Sequence, residues 1–138
     1  MAMTVDTTRV SQPASPISGS MLWNGLLILA AECCEGVPAG SPCDQLLRSA
    51  SSPAELLKKI RAPGFHWSEQ WQVHIQVLIQ SRAEVLVHSS ISDDDIRAVH
   101  LTPCHDVAAT VVERLKKLGP KARVAVLPQG PLTIPYLA

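Results

Sequence analysis

The sequence predicts an α/β domain: a small, mainly parallel sheet of about three strands with helices packed on it, in the order β-α-α-β-α-β. Three observations point there. Three short apolar runs, "LLILAA" (26–31), "EVLVHS" (84–89) and "ARVAVLP" (122–128), are continuously hydrophobic rather than alternating, as strands covered on both faces are. Stretches with helical periodicity and clear boundary signals separate them. Strands that alternate with helices favour parallel pairing through crossovers.

Each element has its own reason. The first twenty residues, "MAMTVDTTRVSQPASPISGS", are rich in Ser, Thr and Pro and lack hydrophobic periodicity, so 1–20 read as a disordered leader and 21–138 as the domain. The first strand follows at 26–31. "CDQLLRS" reads as a short helix. In "SPAELLKKI", Ser52 is the N-cap, Pro53 takes the first helical position and Glu55 completes a capping box. The next helix runs from Ser68 to about Ser81, with Trp71, Ile75, Val77 and Leu78 as its apolar face. After the second strand, Ser92 caps "DDDIRAV", whose aspartates suit the positive end of a helix dipole. The last helix begins near Asp106, carries Lys116 and Lys117 in its final turn and stops at Gly119-Pro120.

Composition excludes several classes. The 138 residues carry 12 Lys and Arg against 12 Asp and Glu, with no basic stripe, which argues against nucleic acid as a partner. The apolar run "MLWNGLLILAAECCEG" is broken by Asn24 and Gly25 and ends at Glu32, too short to span a bilayer, and it lacks the basic flank of a signal peptide. No membrane partner is expected. The 4 cysteines match no secreted disulfide framework, so reduced thiols in a cytoplasmic protein are the expectation.

In an open parallel sheet, ligands sit beyond the carboxyl ends of the strands. Those ends carry Glu32-Cys33-Cys34-Glu35-Gly36, His88-Ser89-Ser90 and Pro128-Gln129-Gly130. Cys33, Cys34, Cys43, Cys104 and His105 include soft ligands, but without a paired metal-ligand spacing. "EGVPAGS" has two glycines and departs from a phosphate-binding pattern. There is no nucleophile triad and no P-loop, so a complete active site does not follow from these residues.

The strand ending A-E-C-x-x-G in "GLLILAAECCEGVPAG", the W-Q helix and V-x-x-S strand of "WSEQWQVHIQVLIQSRAEVLVHS", and the closing P-x-G-x-x-T-x-P that contains Gln129, Gly130 and Thr133 occur in a fixed order. In that order they resemble the carboxyl-terminal domain of the nickel-dependent lactate racemase family, across nearly all of 22–135. The resemblance implies racemisation or epimerisation of a 2-hydroxy acid, in which a nickel-pincer nucleotide accepts and returns a hydride.

It implies that chemistry for full-length relatives only. The nickel ligands, the lysine bearing the cofactor and the paired histidines belong to an amino-terminal racemase domain, so no catalytic residue, metal or cofactor is expected in this chain. A glutamine and a lysine of the family's substrate site fall where this sequence has "SQPASPISGS", and neither carries over. The tryptophan of the W-Q helix does, as Trp71. It would line an interdomain substrate cleft with Glu32, Cys33, His88, Ser89, Gln129, Gly130 and Thr133, while Trp67 would staple the helix start. The residues alone leave open that both indoles simply fill core.

Three functions follow as expectations. The first is one wall of a racemase cleft, catalytically incomplete without the amino-terminal domain. The second is a non-enzymatic interaction module that self-associates through uncovered sheet edges. The third is an independent small-molecule or metal-binding domain using Cys33, Cys34 and His88.

Overall fold

A computed structural model describes residues 2–6 and 25–129. Among the described residues, five strands form one sheet: β1 (Ala2–Asp6), β2 (Gly25–Ala30), β3 (Ala83–His88), β4 (Thr102–Pro103) and β5 (Arg123–Leu127), in the spatial order β4-β3-β2-β1-β5. Five helices of the described residues accompany them: α1 (Pro42–Leu47), α2 (Pro53–Ile60), α3 (Gln70–Gln80), α4 (Asp93–Ala98) and α5 (Val107–Leu118). The α/β class and the co-directional trio hold, with a change of membership. β2, β3 and β4 are the neighbouring parallel strands, and β4 is too short to leave a periodic signal.

The third expected strand exists as β5 but is not adjacent to β2. Between them lies β1, antiparallel to both. It falls inside the stretch expected to be a disordered leader. Five residues, "AMTVD", carry little hydrophobic pattern of their own; the two flanking strands supply hydrogen bonds on both sides of their backbone. Residues 7–24 lie outside the described part.

Side-chain alternation divides the core. Leu26, Ile28, Leu86 and Cys104 form one cluster, covered by Val107, Val111, Leu115 and Leu118 of α5. Leu46, Leu47, Leu56, Ile60, Val73, Val77 and Val99 form a separate one among α1 to α4.

Helix starts repeat one device. Ser41, Ser52 and Ser92 each accept the backbone N–H three residues on. In the first two, the acid at that third position reaches back past the cap: Asp44 accepts from the N–H of Gly40 at 2.9 Å and Glu55 from that of Ser51 at 2.8 Å. The expected capping box of α2 is therefore closed one residue earlier than its usual partner. Asp44 also meets the Arg48 guanidinium at 2.6 Å, and Arg48 extends to Asp95. That arginine first, and the Gly40 N–H second, hold the Asp44 carboxyl below the usual carboxylate range.

The start of α3 differs from the expectation at Ser68. The cap residue is Glu69, in left-handed backbone geometry (φ 61°), and its side chain caps nothing on its own helix. It accepts instead from the Cys43 N–H, at 3.3 Å in the first turn of α1. Gln70 covers the exposed donor of Trp67 at 3.0 Å. The apolar face differs too. α3 buries Val73 and Val77, whereas Trp71, Ile75 and Ile79 are exposed. Gln76 and Gln80, between the two faces, donate to the carbonyls of Val99 and His100 at the end of α4.

Candidate functional site at the strand tips

The register fixes what meets at the carboxyl edge of the sheet. Ala30 lies opposite His88, and Leu29 is level with Ala2 and Leu127. β2 and β3 therefore end side by side. β5 ends on the same edge, but two strand spacings from β2, about 10 Å.

Beyond β2 and β3 the loops are stitched together. The Ala31 N–H donates to the His88 carbonyl at 3.0 Å. Ser90 donates twice to the Glu32 carbonyl, from its N–H at 3.2 Å and its hydroxyl at 2.8 Å. Cys33 follows in left-handed geometry (φ 51°), and its carbonyl accepts the Gly36 N–H at 2.8 Å to close a tight turn. The result is a depression of about 390 Å³ lined by Ala30, Ala31, Glu32, His88, Ser89 and Ser90.

His88 is oriented from the β4 side. Its Nδ1 lies 2.7 Å from the Cys104 carbonyl, while the Cys104 N–H donates to Val87 at 2.8 Å. Cys104 itself is buried, with Sγ 3.4 Å from the Thr110 hydroxyl. Ser89 accepts the Ile91 N–H at 3.2 Å.

Of the sequence-derived candidates, Glu32, His88 and Ser89 come together here. Cys33 is adjacent but does not line the depression. Trp71 stands in the first turn of α3, which runs into β3 through a two-residue turn, so its end of the helix lies towards the strand tips. It is 62% exposed and is not part of the depression. Gln129 is exposed beyond β5. Gly130 and Thr133 lie outside the described residues. Trp67 is 41% exposed and is held by an indole N–H bond of 2.7 Å to the Pro42 carbonyl, rather than by the expected staple.

Ser90 stands in the strand end His88-Ser89-Ser90 that the sequence already points to. One participant escaped sequence reasoning. The Cys104 carbonyl had no side-chain signal at all.

The cysteines are free thiols: Cys33 and Cys34 exposed, Cys43 half-buried, Cys104 buried. Burial, with Glu69 and Asp44 nearby, pushes the Cys43 thiol up, opposite to nucleophile activation. Among the described residues no three of His, Cys, Asp and Glu group as metal ligands; Cys33, Cys34 and His88 do not make a closed set. A groove of about 520 Å³ between α2 and the carboxyl-terminal half of α3 holds none of the candidate residues. Among the described residues no helix is long and apolar enough to cross a membrane.

Comparison with known proteins adds the following. The lactate racemase C-terminal domain family matches residues 18–134. Among solved structures, the lactate racemase apoprotein from Thermoanaerobacterium thermosaccharolyticum is similar in fold, with a TM-score of 0.57 at 20% identity. The match covers 70% of this chain and 24% of that one, so the chain spans about a quarter of the solved racemase. No curated protein matches.

Proposed function

Because this chain belongs to the lactate racemase C-terminal domain family, we propose that it supplies one wall of an interdomain cleft in a 2-hydroxy-acid racemase or epimerase. Alone, it is catalytically incomplete. The observation that carries the reading is the family match over 18–134, which spans β2 to β5. The convergence of Glu32, His88 and Ser89 at the strand tips supports where the wall lies.

The donor set of the described residues does not fit a resident nickel ion. The nickel-pincer nucleotide belongs, in this reading, to an amino-terminal racemase domain, which is the partner. That group would supply the hydride chemistry. This chain's residues would bind and orient the substrate and exclude water. Trp71, exposed in the first turn of α3, would lie against substrate or the facing domain. Four unpaired thiols suit a reducing, cytoplasmic setting.

The test is complementation. The chain is mixed with the cofactor-loaded amino-terminal domain of a lactate racemase, and loss of optical activity is followed from enantiopure lactate and larger 2-hydroxy acids. Activity only in the mixture is expected. Turnover by the purified chain alone, or no gain on mixing with any substrate, overturns the reading.

A second reading is favoured by one observation. Val124 and Val126 on β5 and the outer residues of α3 leave apolar surface uncovered. Self-association through it predicts dimers by light scattering; a strict monomer at high concentration removes it.

A further inference from the structure

The four thiols divide by position. Cys104 is buried with its Sγ 3.4 Å from the Thr110 hydroxyl, and Cys43 is half-buried in the first turn of α1. Cys33 and Cys34 are both free and both exposed, and they are neighbours in sequence. Whatever reaches one of them from solvent meets the other a single peptide away.

That spacing decides what the pair can do. Across the trans peptide that joins them the Cα atoms are about 3.8 Å apart, closer than the roughly 4.4–6.8 Å that ordinary disulfides span. A bond between the two sulfurs closes a strained eight-membered ring, and strained, exposed disulfides are the readily reduced ones. Such a bond is no staple either. It encloses no intervening residue, so it removes almost no entropy from the unfolded chain. Reversible closure is the chemistry that remains.

The backbone around the pair would feel it. The Cys33 carbonyl belongs to the ring's own peptide group, and it accepts the Gly36 N–H at 2.8 Å. One residue earlier, the Glu32 carbonyl accepts from the Ser90 N–H at 3.2 Å and from its hydroxyl at 2.8 Å. Glu32 also lines the strand-tip depression. Ring closure therefore turns a peptide plane that sits between an anchored residue and a tight turn.

We propose that Cys33 and Cys34 form a peroxide-responsive dithiol, whose closure releases the Gly36 N–H and shifts Glu32 at the rim of the depression. In the first step one thiolate attacks a peroxide oxygen. The S–O bond forms, the O–O bond breaks, and the departing hydroxide takes up the thiol proton as water. In the second step the other sulfur attacks the sulfenic sulfur. The S–S bond forms, the S–O bond breaks, and the hydroxyl leaves as water with the second thiol proton. The two thiols lose two electrons and the peroxide gains them. The proposal does not depend on the cleft-wall reading.

The experiment treats the reduced full chain with stoichiometric hydrogen peroxide. Its intact mass should fall by two hydrogens. Peptide mapping should place that loss at Cys33 and Cys34, with Cys43 and Cys104 still open to alkylation after unfolding. In nitrogen-15 spectra the Gly36 and Ser90 amides should shift together, then return when reduced glutathione is added.

Cys34→Ser removes the resolving thiol. It should lose the two-hydrogen change and carry instead a sulfenic acid at Cys33, trapped by dimedone. Were that variant to misfold, the mapped peptide of the parent chain still decides. Cross-linked dimers, gain of oxygen without loss of hydrogen, or no reaction overturns the proposal. So does a ring that glutathione leaves closed, or closure that leaves the Gly36 amide unmoved.

Discussion

α3 and α5 are helices of similar length that meet their surroundings in opposite ways. α3 has 11 residues and is apolar on two faces: Val73 and Val77 turn into the core, while Trp71, Ile75 and Ile79 turn out. α5 has 12 residues and one apolar stripe, Val107, Val111, Leu115 and Leu118, none of it fully buried, with Val112 exposed beside it. A helix that only covers a sheet needs one stripe. An outward ridge that includes a tryptophan contributes nothing to the core of this chain. α5 is a cover, and α3 is a divider between a core and an exposed apolar ridge.

Substitutions can break that contrast. The largest effect belongs to the cluster that α3 seals. Leu56→Ala, at a fully buried position, should cost about 2–5 kcal/mol; Leu115→Ala beneath α5 should cost roughly half as much, because its site is partly open. Urea unfolding reads both, and equal losses would erase the distinction between the layers. Next, Trp71→Ala should lower complemented racemase activity about ten- to a hundredfold, or roughly 1.4–2.7 kcal/mol, while urea unfolding of the isolated chain barely changes. An equal loss of stability would make the indole a core residue.

A smaller effect lies at α1, against which α3 packs. Asp44→Asn keeps an acceptor for Gly40 but removes the charge facing Arg48. Since Arg48 is partly exposed, solvent screening limits the loss to about 1 kcal/mol. The Asp44 carboxyl titrates below its ordinary range, so its contribution is full above the unfolded-state value near about 3.9. It disappears as the pH falls through the lowered folded value. The gap between parent and variant, measured by thermal unfolding, should be flat from about pH 7 to 5 and close below about pH 4. Smallest of all, Ile75→Gln on the outer ridge should alter stability by less than about 0.5 kcal/mol. It should weaken complementation, or dimerisation if that is what the ridge does.

Local chemistry made much of this visible in the sequence. Ser52, Ser92 and Asp106 cap where their patterns place them, and Gly119, at positive φ, ends α5. Continuous apolar runs located β2, β3 and β5. What stayed hidden depends on partners distant in sequence. Nothing in "AMTVD" signals a strand, because its pairing is contributed by β2 and β5. The apolar period of α3 cannot say which face turns inward when both are hydrophobic, so the expected apolar face sets Trp71 and Ile75 beside Val77, and of these three only Val77 is buried. The strand-tip candidates Glu32, His88 and Ser89 followed from topology, whereas the carbonyl that orients His88 is backbone and has no residue signature.

The position of β1 has a consequence for how the molecule is made. Among the described residues β5 joins the sheet only through β1, so β1 must wait for a strand more than a hundred residues later in the chain before its second edge is paired. Pairings that close so wide a loop form slowly. Until they do, a β1 already paired with β2 carries an open flank, and a tether linking the β1 and β5 segments should shorten that wait.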